Sequence, residues 1–561
     1  MFELALECYD KGLEIDAQHE TLLLNKLSAL LSLYRYHEAF ALGEPLLASG
    51  TLEDNNIARL LTRLAKGYYA VGMYEKALEC NNRLLETQPK SEHKELKLNV
   101  RDCLARLEER DNGIFKFKEL KEHLKATEET DISEYIGPVR IKKTRTKTAP
   151  FINTDRIGLE CTRDVQGGTI LFVNKAVKYV KGLSSQKLIF DQQDSLNMLR
   201  ECTKAMPSLN QHQHRQCRAI LAFAPQIMQF EEGTNNLVER VQADPNLQLE
   251  DFKFINNQET EKMDINYNQN DRKFLNVEIS QLALFGGNFI SIVGAWGLWP
   301  MLTLVNHACI QNAGYFNIGD YIFVVAAQSL KAGEEIFISR KSVSNLSYSE
   351  RKDHIGLCEC KLCRLDSQES AANCHLRKLI CEDYFQNIRP KLYHDNATPG
   401  IFGPKLELMM KQLKNTYNDP ERPYQLELQH PFTGLAVSYQ ETSYEKALVA
   451  YLKLIEMNGF TAKLCMKKDR VSKDRIHHTI ECEGPLVFAH AGMFMTLLMI
   501  AGALDYQILV RQCLALSRMA AFINQGYTNK EHAQFFKSFG HTSFSFDSND
   551  TIELIDMKKT K

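Results

Sequence analysis

The chain has 561 residues, 44% of them apolar and 25% charged, with 68 Lys and Arg against 70 Asp and Glu and a formal net charge of −2. That balance excludes a mainly disordered chain, which needs low apolar content, and gives no overall nucleic-acid or membrane-surface signal; the length predicts several domains. Fifteen cysteines, mostly scattered singly, follow an opening "MFELALECYDKGLEID" that carries acids where a secretory leader needs an unbroken apolar run. They predict a reducing, cytoplasmic or nuclear setting, with thiols free or on metal.

The first 130 residues read as a helical domain built on an internal repeat. Ala5, Ala39 and Ala77 take matching places in "LALECYDKGLEID", "YHEAFALGEPLLA" and "MYEKALECNNRLLETQP"; the first spacing is one 34-residue period and the second adds a short insertion. "LAKGYYAVGMYEKAL" (64–78) followed by Pro89 fits the tetratricopeptide pattern of small residues where two helices touch, an aromatic filling the gap and a proline closing the unit. The first repeat lacks its opening helix, as expected of a fragment or truncated gene. Stacked repeats present a concave face, so a protein or peptide partner is expected there. Residues 91–135 read as one or two long polar helices. "IKKTRTKTAP" (141–150) reads as a solvated strand edge or linker in preference to a nucleic-acid contact.

From Phe151 the texture changes to short strands. "RIGLECTRDVQGGTILFVNKAV" predicts strand, Gly turn, strand; "DVQGGTILF" and "SLKAGEEIFI" (329–338) each set a Gly turn before a β-rich run, as a hairpin corner needs. "YIFVVAA" (321–327) predicts an apolar strand. Between these lies a polar helical insert, 185–275. Helical periodicity returns from about 370 in "AANCHLRKLICEDYF", "GPKLELMMKQLK", "SYEKALVAYLKLIEM" and "NKEHAQFFKSFG". Gly484 to Leu504 is uncharged and about as long as a membrane span. It contains His490 and has no Lys/Arg cluster at either end, so it reads as a buried helix of a helical domain.

The strongest chemical signal is "LCECKLC", in which Cys358, Cys360 and Cys363 fall within six residues. Three thiols this close can reach one tetrahedral zinc, which requires a fourth ligand. Cys309 is the candidate, with Cys374 and His375 as local competitors.

At these residues the chain resembles the SET-domain methyltransferases. "NHACIQNA" (306–313) is similar to that family's Asn-His-Ser-Cys-x-Pro-Asn-Ala signature, "AGEEIFIS" to its Gly-Glu-Glu strand, and "CECKLC" to its post-SET zinc motif. "GLWPMLTLVNHAC" and "YSERKDHIGLCECKLC" resemble the SET-and-MYND branch, specifically its tetratricopeptide-bearing relatives. The MYND zinc module, which needs about eight Cys/His ligands, has no counterpart; the insert offers Cys202, Cys217, His212 and His214, which read as part of a solvated polar helix. The resemblance implies an α+β multidomain chain: helical tetratricopeptide domain 1–130, first part of the SET domain 135–184, helical insert 185–275, SET core 276–345, post-SET zinc segment 346–368 and C-terminal helical domain 369–561. It implies that the Asn-His segment passes beneath the chain after the Gly-Glu-Glu strand, and that this knot-like crossing forms an S-adenosylmethionine pocket. Gly158, Asn288, Asn306 and His307 then contact the cofactor, Cys309 ties the crossing to the zinc with Cys358, Cys360 and Cys363, and Asn312 packs near it. The implied reaction is methyl transfer to a lysine of a protein or peptide substrate.

Three departures gather on that pocket. The family's catalytic tyrosine position is Arg340, whose guanidinium stays protonated. Beside a sulfonium at 4 Å it meets a repulsion of roughly 4 kcal/mol at an effective dielectric near 20. Arg156 replaces the first glycine of the Gly-x-Gly turn, and Gly356-Leu357 replaces the adenine-stacking aromatic; Gln311 replaces the motif proline, a milder change. Tyr348 or Tyr315 as the hydroxyl, or Arg340 turned outward to pair with Glu334 or Glu335, would keep catalysis. Otherwise the chain is a non-catalytic SET scaffold.

Overall fold

The computed structural model describes residues 2–145, 155–181, 290–339, 347–393, 399–467, 475–481 and 485–538, apart from positions 34, 51, 91–92, 129, 177, 293–294 and 356–357. The insert 185–275, with its Cys and His residues, lies outside them.

Seven helices open the chain: α1 (Phe2–Ile15), α2 (Glu20–Ser32), α3 (Tyr36–Ala48), α4 (Asp54–Ala70), α5 (Tyr74–Thr87), α6 (His93–Asn112) and α7 (Phe117–Thr127). The first six stack as antiparallel hairpins. In α4 the buried residues Leu60, Leu61, Leu64, Ala65 and Tyr68 recur every three or four positions, the stripe an amphipathic helix turns to its neighbours. Ala39 and Ala77 are fully buried, while Ala5 is half-buried. At Gly67 a Cβ would come within 2.8 Å of Leu31 and 2.9 Å of Phe40, and Phe40 stacks on Tyr68 at 4.5 Å. Close helix contact thus requires the small residue, and an aromatic pair fills the remaining gap. The buried pair Arg106–Glu109 (2.6 Å) joins this stack to the strands, because the Glu109 carboxylate also accepts the Ser133 N–H at 2.9 Å.

The central sheet is antiparallel, with strand order β1 (Tyr135–Ile136), β4 (Ile170–Lys175), β10 (Tyr321–Ala326), β9 (Ala313–Ile318), and a smaller antiparallel sheet joins β5 (Lys178–Lys181), β7 (Ala295–Leu298) and β6 (Ile290–Ile292). Every residue of β10 is buried. Tyr321, Phe323 and Val325 face a core shared with Phe316 of β9 and with Phe522 of the C-terminal helices; Ile322, Val324 and Ala326 face a second core with Leu302, Val305, Ile336 and Ile338. Coverage of both faces explains why this strand reads as one unbroken apolar run. The first half of the basic run, 141–145, lies on β2 (Val139–Arg145), paired antiparallel with β3 (Asp155–Cys161), and Lys142 meets Glu160 at 3.1 Å; 146–150 lie outside the described residues.

Two strand expectations need correction. β3 and β4 flank the "QGG" turn but do not pair with each other: β3 pairs with β2, and β4 with β1 and β10. The two glycine corners instead pair with one another, Val165 and Leu330 exchanging N–H···O=C bonds of 2.9 and 3.0 Å. Backbone donors at the corners are satisfied across the fold rather than within a local hairpin. The C-terminal region, read as helical throughout, also contains a hairpin of β12 (Thr461–Lys467) and β13 (Arg475–Glu481).

The remaining C-terminal elements are helices. Phe488–Ala503 holds no Asp, Glu, Lys or Arg and one buried histidine, His490, and buries Phe494, Leu497, Leu498 and Ile500. Among the described residues no helix is long and apolar enough to cross a membrane. Helix Gln507–Gln525 backs β9 so closely that a Cβ at Gly314 would lie 2.5 Å from Ile523.

Candidate active site and thiol cluster

Two stretches far apart in the chain cross beside the central sheet. Asn306–His307 (β8) pairs in parallel with Phe337–Ile338 (β11), Asn306 opposite Phe337 and His307 opposite Ile338. Parallel pairing needs a long connection, and here it is the whole β9–β10 hairpin. Asn312 locks the crossing. Its side-chain amide donates to the Glu335 carbonyl at 2.8 Å, its side-chain oxygen accepts the Phe337 N–H at 2.7 Å, and its backbone N–H donates to the Phe337 carbonyl at 3.2 Å. Gln311, where the motif carries proline, accepts the Ser339 N–H at 3.1 Å and reaches Asn524 at 3.5 Å. It therefore links the crossing to the C-terminal helices, which proline cannot do.

Gly158 lies against this crossing. A Cβ there would stand 2.6 Å from Asn306 Nδ2 and 2.7 Å from Glu335 Oε1. The Asn306 amide donates to that same Glu335 oxygen at 2.8 Å. Only a residue without a side chain leaves both groups in place. Glu335 is half-buried.

The four sulfurs of Cys309, Cys358, Cys360 and Cys363 lie within 4.8 Å of one another, with Cys309 Sγ 3.5 Å from Cys363 Sγ. A tetrahedral zinc with ~2.3 Å bonds to sulfur separates its ligands by about 3.8 Å, so the donor set and spacing fit that ion. The thiols share protons unequally. Hydrogen bonding from Cys309 pulls both the Cys358 and the Cys360 thiols below the ordinary value. Hydrogen bonds to Cys358 and Cys360 hold Cys309 well above the ordinary thiol value. Full ionisation at such distances requires a cation among them. His307 Nε2 lies 3.6 Å from Cys309 Sγ, so the crossing and the cluster are continuous.

An ionic network anchors the cluster to the C-terminal domain. Asp366, at the end of helix Lys361–Asp366, meets both Arg351 and Arg422. Glu369 meets Arg422 at 3.2 Å and Arg377 at 3.6 Å. The Tyr417 ring packs 3.6 Å from the Arg377 guanidinium and 4.6 Å from that of Arg422. All five ionic side chains are at most 3% exposed.

The fold thus gathers Gly158, Asn306, His307, Asn312 and Cys309 at one place, and brings Cys309 to the three downstream cysteines. Cys374 and His375 are not in that group; Cys374 Sγ accepts from Arg377 at 3.7 Å. Tyr348 packs against the thiol cluster, and Tyr315, on β9, against the second core. Asn288, Arg340 and Gly356-Leu357 lie outside the described residues, as does the side chain of Arg156. Glu334 accepts the Lys331 N–H at 3.0 Å. Sequence reasoning missed Glu335 as the partner of Asn306; the adjacent glutamates of "GEE" were the available signal, without indicating which of them turns inward. Asp366 as a hub for two arginines carried no local signal.

The crossing and its glycine fall in a recognised domain: residues 156–339 match the family model of the SET domain. A protein described as "Methyltransferase" from Gibberella zeae is 23% identical over 401 residues, which cover 66% of this chain and 50% of that protein. The chain thus spans about half the length of this curated relative.

Proposed function

We propose that the chain is a protein-lysine N-methyltransferase of the SET type that takes its methyl group from S-adenosylmethionine. In this reading its N-terminal hairpins are tetratricopeptide repeats that hold a protein partner, its four cysteines hold one structural zinc, and it works in the cytoplasm or nucleus. The observation that carries the reading is the parallel crossing of Asn306–His307 with Phe337–Ile338 beside Gly158. The SET match over 156–339 and the name of the Gibberella zeae relative support it.

Bound S-adenosylmethionine would supply an electrophilic methyl on a sulfonium. The chain's own residues have three tasks. Asn306 and His307 present polar groups at the crossing, held in place by Asn312. Glu335 meets the Asn306 amide and has no cation partner among the described residues, so it leaves negative charge that suits a cationic ligand. The substrate amine, with an ordinary pKa near ~10.4, must become neutral to react, and desolvation at a half-buried site favours that form. Tyr315 and Tyr348 are the candidate hydroxyls to orient the amine.

A second reading, a SET scaffold that does not catalyse, is favoured by Arg340 at the tyrosine position. Calorimetric titration of S-adenosylmethionine into the full chain, with transfer of labelled methyl to lysate proteins, separates the two. The enzyme binds one equivalent and labels lysine. The scaffold labels nothing, and Arg340→Tyr with Arg156→Gly improves cofactor binding.

A further inference from the structure

Helices α2, α4, α5 and α6 enclose a groove of about 670 Å³. Arg59, Arg63 and Lys66 line it from α4, with Asn55, Leu31 and Leu84 around them; no Asp or Glu is part of the lining among the described residues. The three cations follow at i, i+4 and i+7, so one helix face carries positive charge across about 10 Å at ~1.5 Å rise per residue. None of the three has an ion-pair or hydrogen-bond partner among the described residues. Other cations of the stack do find partners: Lys26 with Asp10 at 2.6 Å, Arg35 with Glu38 at 2.6 Å and Lys76 with Glu44 at 2.7 Å. Arg63 is the most confined of the groove cations. Its Nη1 is closed off from solvent without an acceptor, and burial, followed by the charge of Arg59, holds its guanidinium below the ordinary value. A shielded guanidinium donor lacks the charge-assisted partner that such groups ordinarily find.

We propose that this groove binds an extended acidic segment of a protein partner, its carboxylates spread over about four residues. An extended chain rises ~3.3 Å per residue, so carboxylates two or three positions apart match the spacing of Arg59, Arg63 and Lys66. Leu31 and Leu84 give the intervening side chains an apolar wall. A nucleic-acid strand fits less well, because it needs aromatic platforms for its bases and among the described residues the groove offers Tyr36 as its sole aromatic. The inference specifies the chemistry of the partner proposed above and is independent of catalysis.

The test uses the full-length protein and a fluorescein-labelled peptide of about twelve residues, acetylated and amidated, with five Asp or Glu among Gly, Ala and Leu. Controls are the same peptide with Asn and Gln replacing the acids, a neutral peptide with a free terminal carboxylate, and a short single-stranded RNA. Anisotropy should show the acidic peptide binding at least about tenfold tighter than either neutral peptide. Arg63→Ala and the surface double variant Arg59→Glu/Lys66→Glu should each weaken it roughly tenfold or more, with helical circular dichroism and S-adenosylmethionine titration unchanged. Four results overturn the proposal: no binding of the acidic peptide below about 1 mM, equal binding of its neutral counterpart, tighter binding of the free-carboxylate peptide or the RNA, or unchanged affinity in both variants. Failure of cofactor binding alone would count against the methyltransferase reading and leave this one standing.

Discussion

Replacing Gly158 with Ala adds a single methyl group at the crossing, and the structure specifies where it goes. The new Cβ would lie 2.6 Å from Asn306 Nδ2 and 2.7 Å from Glu335 Oε1, well inside ordinary contact distance. Both atoms end side chains, so the least demanding response turns the Asn306 amide away and breaks its 2.8 Å bond to Glu335. A hydrogen bond to a charged group contributes roughly 1.5–3 kcal/mol. Alanine opposes that loss with the ~0.5–1 kcal/mol it ordinarily gains over glycine in a strand. The net expectation is a destabilisation of roughly 1–2 kcal/mol, read as a lower denaturant midpoint. In the double variant with Asn306→Ala the nearer of the two clash partners is gone and Glu335 is released from its bond to that amide, so the two effects should be less than additive. S-adenosylmethionine affinity should fall in the single variant. A Gly158→Ala protein as stable as wild type or more so, or strict additivity with Asn306→Ala, would refute the proposed approach of Asn306 and Glu335 to this backbone.

Further outcomes follow from the buried ionisable groups. Asp366→Ala leaves Arg351 and Arg422 buried without their shared carboxylate, and should lower stability by about 3–5 kcal/mol in urea melts; a loss below ~1 kcal/mol would mean that the network is not closed to water. His490 and His532 are both pushed down to about 4 by burial. The unfolded chain therefore binds more protons than the folded one below the ordinary value of 6.5, and stability should be full above that pH and fall towards pH 4. The total is roughly 3 kcal/mol for each histidine. His490→Asn should flatten the slope between pH 6.5 and 4.5, and an unchanged slope would exclude His490 as a source.

The parts of the architecture legible in the sequence carry their information locally. The unbroken run of β10 follows from burial on both faces, Ala39 and Ala77 mark helix contacts, and three cysteines within six residues advertise ligand spacing. Cys309 was legible as a fourth candidate because its motif was recognisable, 54 positions upstream of Cys363. Contacts decided by distant partners were not legible. Gln311 meets Asn524 across 213 positions, and Lys121 meets Glu531 at 2.6 Å across 410; nothing in either neighbourhood encodes the other. The glycine corners misled for a related reason. A Gly turn records backbone freedom, which a hairpin and a cross-fold bridge require equally. In β13 Ile476, His478 and Ile480 alternate with polar residues, a strand signal only seven residues long between helical segments.

Metal content tests the pinned crossing most directly. Purified full-length protein, prepared without chelator and assayed by elemental mass spectrometry, should carry one zinc per chain. Cys309→Ser should fall well below that and expose the segment around Cys358–Cys363 to proteolysis. A wild-type protein that is folded yet free of metal, or a Cys309→Ser variant that keeps its full zinc, would contradict the account.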